Sequence, residues 1–150
     1  MRTAPLQLLL AFAAAALCGC FPGYLRIDVS APAGVNHGLP LHVLLRGTDT
    51  EQFRRESYTE LARGRGAKDP ALLRDVVISS RPGEPFERTV WLKRPDKKAV
   101  ALYCLFTAPT GSWKLLLEQP LPYRYNLILD ENSIRPAEQR SLGLPLIPGL

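Results

Sequence analysis

Short segments in which apolar and polar residues alternate recur along the chain, and turns rich in proline and glycine separate them. In residues 25–30, for example, Leu25, Ile27 and Val29 would face one side of a strand and the polar residues between them the other. A period of two is typical of a half-buried β-strand. Seven such strands are predicted, over residues 25–30, 39–46, 75–80, 86–92, 99–107, 113–118 and 124–130. The pattern indicates an all-β fold, an antiparallel β-sandwich.

One or two short helices are predicted after the second strand. Thr48 or Asp49 can cap the first of them, since both side chains accept hydrogen bonds from the N–H groups of a first helical turn. Gly64 and Gly66 would end it, and residues 67–74 are expected to add one short turn. The apolar stripe of the helix, at approximately helical spacing, comprises Phe53, Tyr58, Leu61 and Ala62.

The strand over residues 99–107 is apolar on both faces, which predicts a central strand whose second side is covered by the helix or by a neighbouring segment. Cys104 lies in this strand, where a thiol behaves as a small, inert core residue. Trp91 and Trp113 could mark a binding surface, but burial in the sandwich is the more common role of a tryptophan and is the one expected.

The N-terminus has the layout of a secretory signal peptide, with Arg2 ahead of an apolar run over residues 6–17. The run is too short to span a membrane, which needs about 20 apolar residues. Ala14-Ala15-Ala16 could serve as an ordinary cleavage site, with the cysteines beyond it as small apolar residues. However, Leu17-Cys18-Gly19-Cys20 resembles the lipobox of bacterial lipoproteins, which implies cleavage before Cys20 and acylation of that residue. By the same resemblance, Phe21 implies the outer membrane.

The domain organisation follows from this cleavage. Loss of the first 19 of 150 residues leaves 131, enough for one domain. We expect a tether over residues 20–23, a sandwich over 24–134 and an irregular proline-rich tail over 135–150. The net charge is +5 and forms no basic block, which favours a solvated surface over nucleic-acid binding.

No pattern of residues predicts an active site or a cofactor. His37 and His42 lack a third ligand nearby, so no metal site is expected. Glu84 and Glu87 form no convincing acid–base pair. The serines Ser79, Ser80 and Ser112 lack the context of a catalytic nucleophile, and no phosphate-binding glycine loop is present. The sequence therefore favours a protein that is not an enzyme.

An ordered set of segments nevertheless points to a family. Between residues 24 and 134 the chain resembles the outer-membrane lipoproteins of type VI secretion systems, the TssJ-like family. The segments that carry the resemblance are VNHGLPLHVLLRG, TEQFRRESYTELA, VVISSRPGEPFERTVWL, VALYCLFTAPTGSWKLLLEQP and YNLILDENSI. The resemblance implies a transthyretin-like sandwich of about seven or eight strands. It also implies a role on the periplasmic face of the outer membrane, docking the periplasmic C-terminal domain of a large inner-membrane secretion subunit.

The same resemblance implies that loops at one end of the sandwich bind this partner. The loop between the first two strands would contribute Ala33, Gly34, Val35, Asn36, His37 and Gly38. A second loop, with Ala108, Pro109, Thr110 and Gly111, lies at the same end only if strand directions alternate as proposed. Alternatively, these residues merely turn the chain. A further alternative is a lipid-anchored sandwich that binds peptide or glycan through an edge strand or an exposed aromatic side chain.

Overall fold

Eight β-strands and two α-helices make up the described part of the computed structural model, which comprises residues 23–65, 68–81 and 83–135. The strands are β1 (Tyr24–Ala31), β2 (Leu41–Thr48), β3 (Leu72–Ile78), β4 (Phe86–Lys93), β5 (Ala99–Leu105), β6 (Lys114–Leu117), β7 (Arg124–Leu129) and β8 (Ile134–Arg135). The helices are α1 (Thr50–Arg55) and α2 (Tyr58–Gly64). The predicted signal peptide, Cys20 and residues 136–150 of the tail lie outside the described residues.

The strands form two four-stranded sheets, in the order β4-β1-β7-β8 for the first sheet and β3-β2-β5-β6 for the second. The predicted β-sandwich is confirmed, with one difference: β1 and β7 run parallel, whereas the other neighbouring strands are antiparallel. The chain reaches β7 from the second sheet, so its direction is not fixed by a hairpin with β1.

The core lies between the two sheets and is built from the apolar side of each alternating strand. Leu25, Ile27 and Val29 of β1 are buried, as their spacing predicts. Cys104 points into the same core and is fully buried. Removal from water raises the pKa of its thiol far above the usual range, so it stays protonated and inert.

The predicted helical segment is two helices rather than one continuous helix. Asp49 caps α1, its carboxylate accepting a hydrogen bond from the Gln52 N–H at 2.8 Å. The backbone becomes extended at Glu56, which ends α1. Ser57 then begins α2 with a capping box, in which its side chain and that of Glu60 each accept from the other's N–H group.

The two helices cover the outer face of the second sheet. Phe53 of α1 and Leu61 of α2 pack on a small apolar cluster formed by Leu44, Ala101 and Tyr103. Strand β5 is consequently buried on both faces, as the sequence predicts. The turn predicted over residues 67–74 is only partly right. The Leu72 N–H donates to the Asp69 carbonyl at 3.2 Å, but residues 72–74 belong to β3.

Candidate interaction site at one end of the sandwich

Three loops joined to one another by hydrogen bonds lie at one end of the sandwich and form what we call the loop end: residues 32–40, 106–113 and 130–133. The β3–β4 connection lies at this end too, since Ile78 pairs with Leu41 and Phe86 with Ala31. The antiparallel pairing of β2 with β5 sets His42 opposite Leu105, which brings the first two loops together. The parallel pairing of β1 with β7 adds the third. The two loops identified from the sequence therefore lie at the same end. The third was missed, because its position depends on a parallel pair that no local pattern encodes.

Asn36 joins all three loops. Its side-chain Oδ1 accepts a hydrogen bond from the Thr107 N–H at 2.6 Å, and its Nδ2 donates to the carbonyls of Leu39 and Pro40 at 3.3 and 3.1 Å. Its own N–H donates to the Glu131 carbonyl at 2.7 Å. With only 1% of its surface exposed, Asn36 holds the loops in place and does not itself present a contact surface.

The backbone of the first loop follows a path that few residue types tolerate. Gly34, Asn36, His37 and Gly38 have φ angles of 83°, 53°, 55° and 75°, all in the left-handed region. Glycine adopts this region freely, and asparagine and histidine are among the residues that adopt it most readily. The shape of the loop therefore depends on these residue types as well as on the bonds of Asn36.

The predicted partner-binding residues divide into a surface and a support. Val35 and Asn36 are buried, and Gly34 is half-buried. The other seven are exposed and line the loop end: Ala33, His37, Gly38, Ala108, Pro109, Thr110 and Gly111. Leu39, which the sequence interpretation overlooked, adds an apolar side chain that is 51% exposed. Its position directly after a glycine-rich loop could have identified Leu39 from the sequence as an exposed apolar contact residue.

A small polar group links the first and third loops. The side chain of His37 lies between the Glu131 carboxylate, at 3.4 Å from Nδ1, and the Asn132 amide nitrogen, at 3.2 Å from Nε2. The Asn132 carbonyl accepts from the Thr110 N–H at 3.1 Å, which ties in the second loop. The side-chain Oδ1 of Asn132 is buried and, among the described residues, has no hydrogen-bond partner. Such an acceptor leaves part of the hydrogen-bonding capacity of the loop end unused.

The histidines do not converge with other potential metal ligands in the described residues. No group of three potential metal ligands occurs in them. His37 contacts Glu131 and His42 contacts Asp75, so the two histidines belong to separate surface pairs. Neither of the α-helices in the described ranges has the length or the hydropathy of a membrane span.

The two tryptophans occupy different environments. Trp113 is half-buried between Tyr58 and Tyr103, with ring centroids at 5.2 and 5.9 Å. Trp91, by contrast, is 44% exposed, so its predicted burial is wrong. It lies on the outer side of β4, beneath the guanidinium of Arg26 at 5.8 Å, on a sheet face that neither described helix covers. The alternation of β4 itself, with Val90 inward, already assigns it to that side.

Comparisons with known proteins bear on this geometry. A family model described as the N-terminal domain of IglE matches residues 42–129. No curated protein matches the chain. One similar solved structure is Serratia marcescens Lip, described as a membrane bound component of the type VI secretion system; the TM-score is 0.61 at 13% identity, over 79% of this chain and 99% of that one.

Two further structures show the same fold. The type VI secretion lipoprotein TssJ1 from Pseudomonas aeruginosa matches with a TM-score of 0.52 at 20% identity, over 77% of this chain and 98% of that one. A structure described as the C-terminal domain of the type VI secretion protein TssM from EAEC matches with a TM-score of 0.55 at 17% identity, over 75% of this chain and 95% of that one. The fold is therefore TssJ-like, as the sequence resemblance implies. Because the family model covers more than half of its residues, the chain belongs to the IglE N-terminal domain family.

Proposed function

We propose that this protein is an outer-membrane assembly lipoprotein of a type VI secretion membrane complex, and that its loop end docks the periplasmic C-terminal domain of a large inner-membrane subunit. The observation that carries the proposal is the loop end, where three loops are fixed by Asn36 into one exposed surface. The TssJ-like fold and the names of the similar structures support the choice of secretion system.

The direction of β1 supports a bridging role. Cys20, the residue proposed to carry the acyl chains, precedes the first described residue by three positions. From there β1 runs the length of the sandwich and ends at the first loop of the loop end. Eight residues of strand span about 25 Å at the usual rise. The proposed membrane attachment and the proposed docking surface therefore lie at opposite ends of the domain.

The proposed contact surface comprises the exposed residues Ala33, His37, Gly38 and Leu39 together with Ala108–Gly111. Val35 and Asn36 contribute by holding the shape of the first loop. A surface of this kind, with an apolar side chain among small and polar residues, is suited to a protein partner. No catalytic step is proposed.

The test is a pull-down of the full-length lipoprotein from detergent-solubilised envelope, with identification of the captured proteins by mass spectrometry. We compare Leu39→Asp with a matched control, Leu72→Asp, because both leucines are partly exposed (51% and 37%) and Leu72 lies away from the loop end. Capture of a large inner-membrane protein should fall by about tenfold or more for Leu39→Asp alone. Equal capture by both variants would rule out docking through the loop end.

Trp91 favours one second candidate, a lipid-anchored sandwich that binds peptide or glycan on the outer face of the first sheet. Its exposed indole beside Arg26 offers a stacking surface. Quenching of tryptophan fluorescence by cell-wall fragments, lost in Trp91→Leu and retained in Trp113→Leu, would support this candidate. Recovery of such fragments in the same pull-down, without an inner-membrane protein, would favour it over docking.

A further inference from the structure

The end of the sandwich opposite the loop end carries basic and aromatic side chains, which we call the basic patch: Tyr24, Lys93, Arg94, Lys97, Lys98 and Tyr123. Resting on the proposed acylation of Cys20, we infer that this patch lies against the anionic headgroups of the membrane that holds the lipid anchor. The anchor alone would leave the domain free to rotate about its tether. Contact through the patch would fix its orientation.

Arg94 builds the patch by joining three separate segments. Its backbone N–H donates to the Gly23 carbonyl at 2.8 Å, and its Nε donates to the Tyr24 carbonyl at 3.1 Å. Its Nη2 donates to the Pro122 carbonyl at 2.7 Å, while its guanidinium lies 4.7 Å from the centre of the Tyr123 ring. The β4–β5 and β6–β7 connections are thus fixed beside the first described residues.

The composition of the patch suits a lipid headgroup layer. Residues 93–98 contain four basic side chains and one acidic side chain, Asp96. The tyrosines Tyr24 and Tyr123 are both exposed, although each is large and mostly apolar. Tyrosine is favoured at membrane interfaces because its ring is apolar and its hydroxyl polar. Lysine adds attraction to anionic lipid at short range. The loop end, with Asp130, Glu131 and His37, lacks this basic character.

The short tether between Cys20 and Tyr24 keeps the patch near the membrane that holds the lipid anchor. Three residues separate Cys20 from Tyr24, and each residue of extended chain spans about 3.5 Å at most. Tyr24, the first residue of the patch, is therefore held within about 15 Å of the acylated residue. Lys93 lies opposite Tyr24 in the sheet, so the charged side chains of the patch begin close to the membrane surface. Anionic headgroups are the partner nearest to these lysines.

The test uses the full-length lipoprotein reconstituted in vesicles of phosphatidylcholine alone or mixed with phosphatidylglycerol. Amine acylation of individual lysines is measured by mass spectrometry, and the variant Ala108→Lys supplies an exposed control lysine at the loop end. In the mixed vesicles, labelling of Lys93, Lys97 and Lys98 should fall by about fivefold relative to the control, and high salt should restore it. Equal labelling of all four lysines, or equal protection in both kinds of vesicle, would overturn the inference.

A second variant and a flotation assay separate this inference from the proposed function. Lys97→Glu combined with Lys98→Glu should restore labelling of Lys93 in the mixed vesicles while the protein still floats with them. Release of the wild-type protein from vesicles would instead show that the anchor has failed, which counts against acylation of Cys20. Persistent protection of Lys93 in the double variant would overturn the role assigned to the patch.

Discussion

The outer faces of the two sheets carry ion pairs of the same chemistry in opposite surroundings. On the second sheet, Arg46 contacts Glu56 and Asp69 beneath the helices, and the side chains of Arg46 and Glu56 are only 9% and 12% exposed. On the first sheet, Asp28 contacts Arg26 and Arg124, whose side chains are 38% and 60% exposed. The difference in exposure follows from coverage by α1 and α2. We therefore expect the ion pairs of Arg46 to contribute much more to the free energy of unfolding than those of Asp28.

The ionisation of these groups reflects the same difference. Burial disfavours the charge on Arg46, but its bonds to Asp69 and Glu56 outweigh burial and raise the pKa of its guanidinium. Burial and the neighbouring Glu56 raise the pKa of the Tyr103 hydroxyl, which donates to that carboxylate. At Asp28, burial opposes ionisation, yet hydrogen bonds from Thr89, Arg26 and Arg124 lower the pKa. One group fastens the helices to the sheet, whereas the other lies on an open surface.

Replacement of the central cation should give the largest effect. Arg46→Met leaves Glu56 and Asp69 without their buried partner, so the free energy of unfolding should fall by about 3–5 kcal/mol. Urea denaturation measures it, and Arg26→Met is the matched control on the open face, with an expected loss below about 1 kcal/mol. Similar losses for both variants would show that coverage by the helices does not govern these ion pairs.

Removal of one hydroxyl should have a smaller effect on the covered face. Tyr103→Phe deletes the donor to Glu56 but keeps the ring, which lies 5.9 Å from both Phe53 and Trp113. The expected loss is about 1–2 kcal/mol, because a buried carboxylate loses a hydrogen bond. The same urea titration measures it. An unchanged midpoint would mean that Arg46 and Gln52, its other two donors, satisfy Glu56 without the hydroxyl.

The capping box of α2 allows the stability of the helices to be tested separately from that of the sheets. Ser57→Ala removes the side chain that accepts from the Glu60 N–H, and should cost about 0.5–1 kcal/mol. Hydrogen exchange should increase in α2 and leave the amides of β1 unaffected. Faster exchange throughout both sheets would show that the helices and the sandwich unfold as one unit.

The smallest effect is expected at Asp28, and it should depend on pH. The pKa of Asp28 in the folded protein lies below its ordinary value of 3.8, so the ionised form stabilises the fold above that pH. Asp28→Asn should cost about 0.5–1 kcal/mol at neutral pH. The difference between the two proteins should shrink as the pH falls below 3.8 and disappear below the lower pKa of the folded state, where wild-type Asp28 is protonated too. A difference that persists in acid would point to packing rather than charge.

Local patterns in the sequence predicted most of the fold, because each strand alternates along its own length. The parallel β1–β7 pair could not be predicted this way, since its partners are about a hundred residues apart and no turn connects them. The break at Glu56 was also missed. The side chain of Glu56 contacts Arg46, which is ten positions away in sequence and becomes its neighbour only in the folded protein.

The candidate site was predictable to a similar degree. The assumption that strand directions alternate correctly predicted that the two loops lie at the same end of the sandwich. The burial of Asn36 could not be foreseen, because an asparagine between glycines is typical of an exposed turn. Its partners Thr107 and Glu131 come from distant parts of the chain. The role of Asn36 in joining the loops therefore depends on these tertiary contacts, although its bonds to Leu39 and Pro40 are local.

The central position of β1 has a mechanical consequence. In the proposed function, tension between the membrane and the docked subunit would enter at Gly23 along the axis of this strand. It would leave largely through the loops at 106–113 and 130–133, which belong to other strands, so the force must pass from β1 to its neighbours. Because β1 is bonded to β4 on one side and β7 on the other, that force would load both ladders of hydrogen bonds in shear at the same time. Bonds loaded together share the force, whereas an edge strand pulled from its end opens one bond after another. The strand nearest the anchor is thus the one best placed to resist being pulled out.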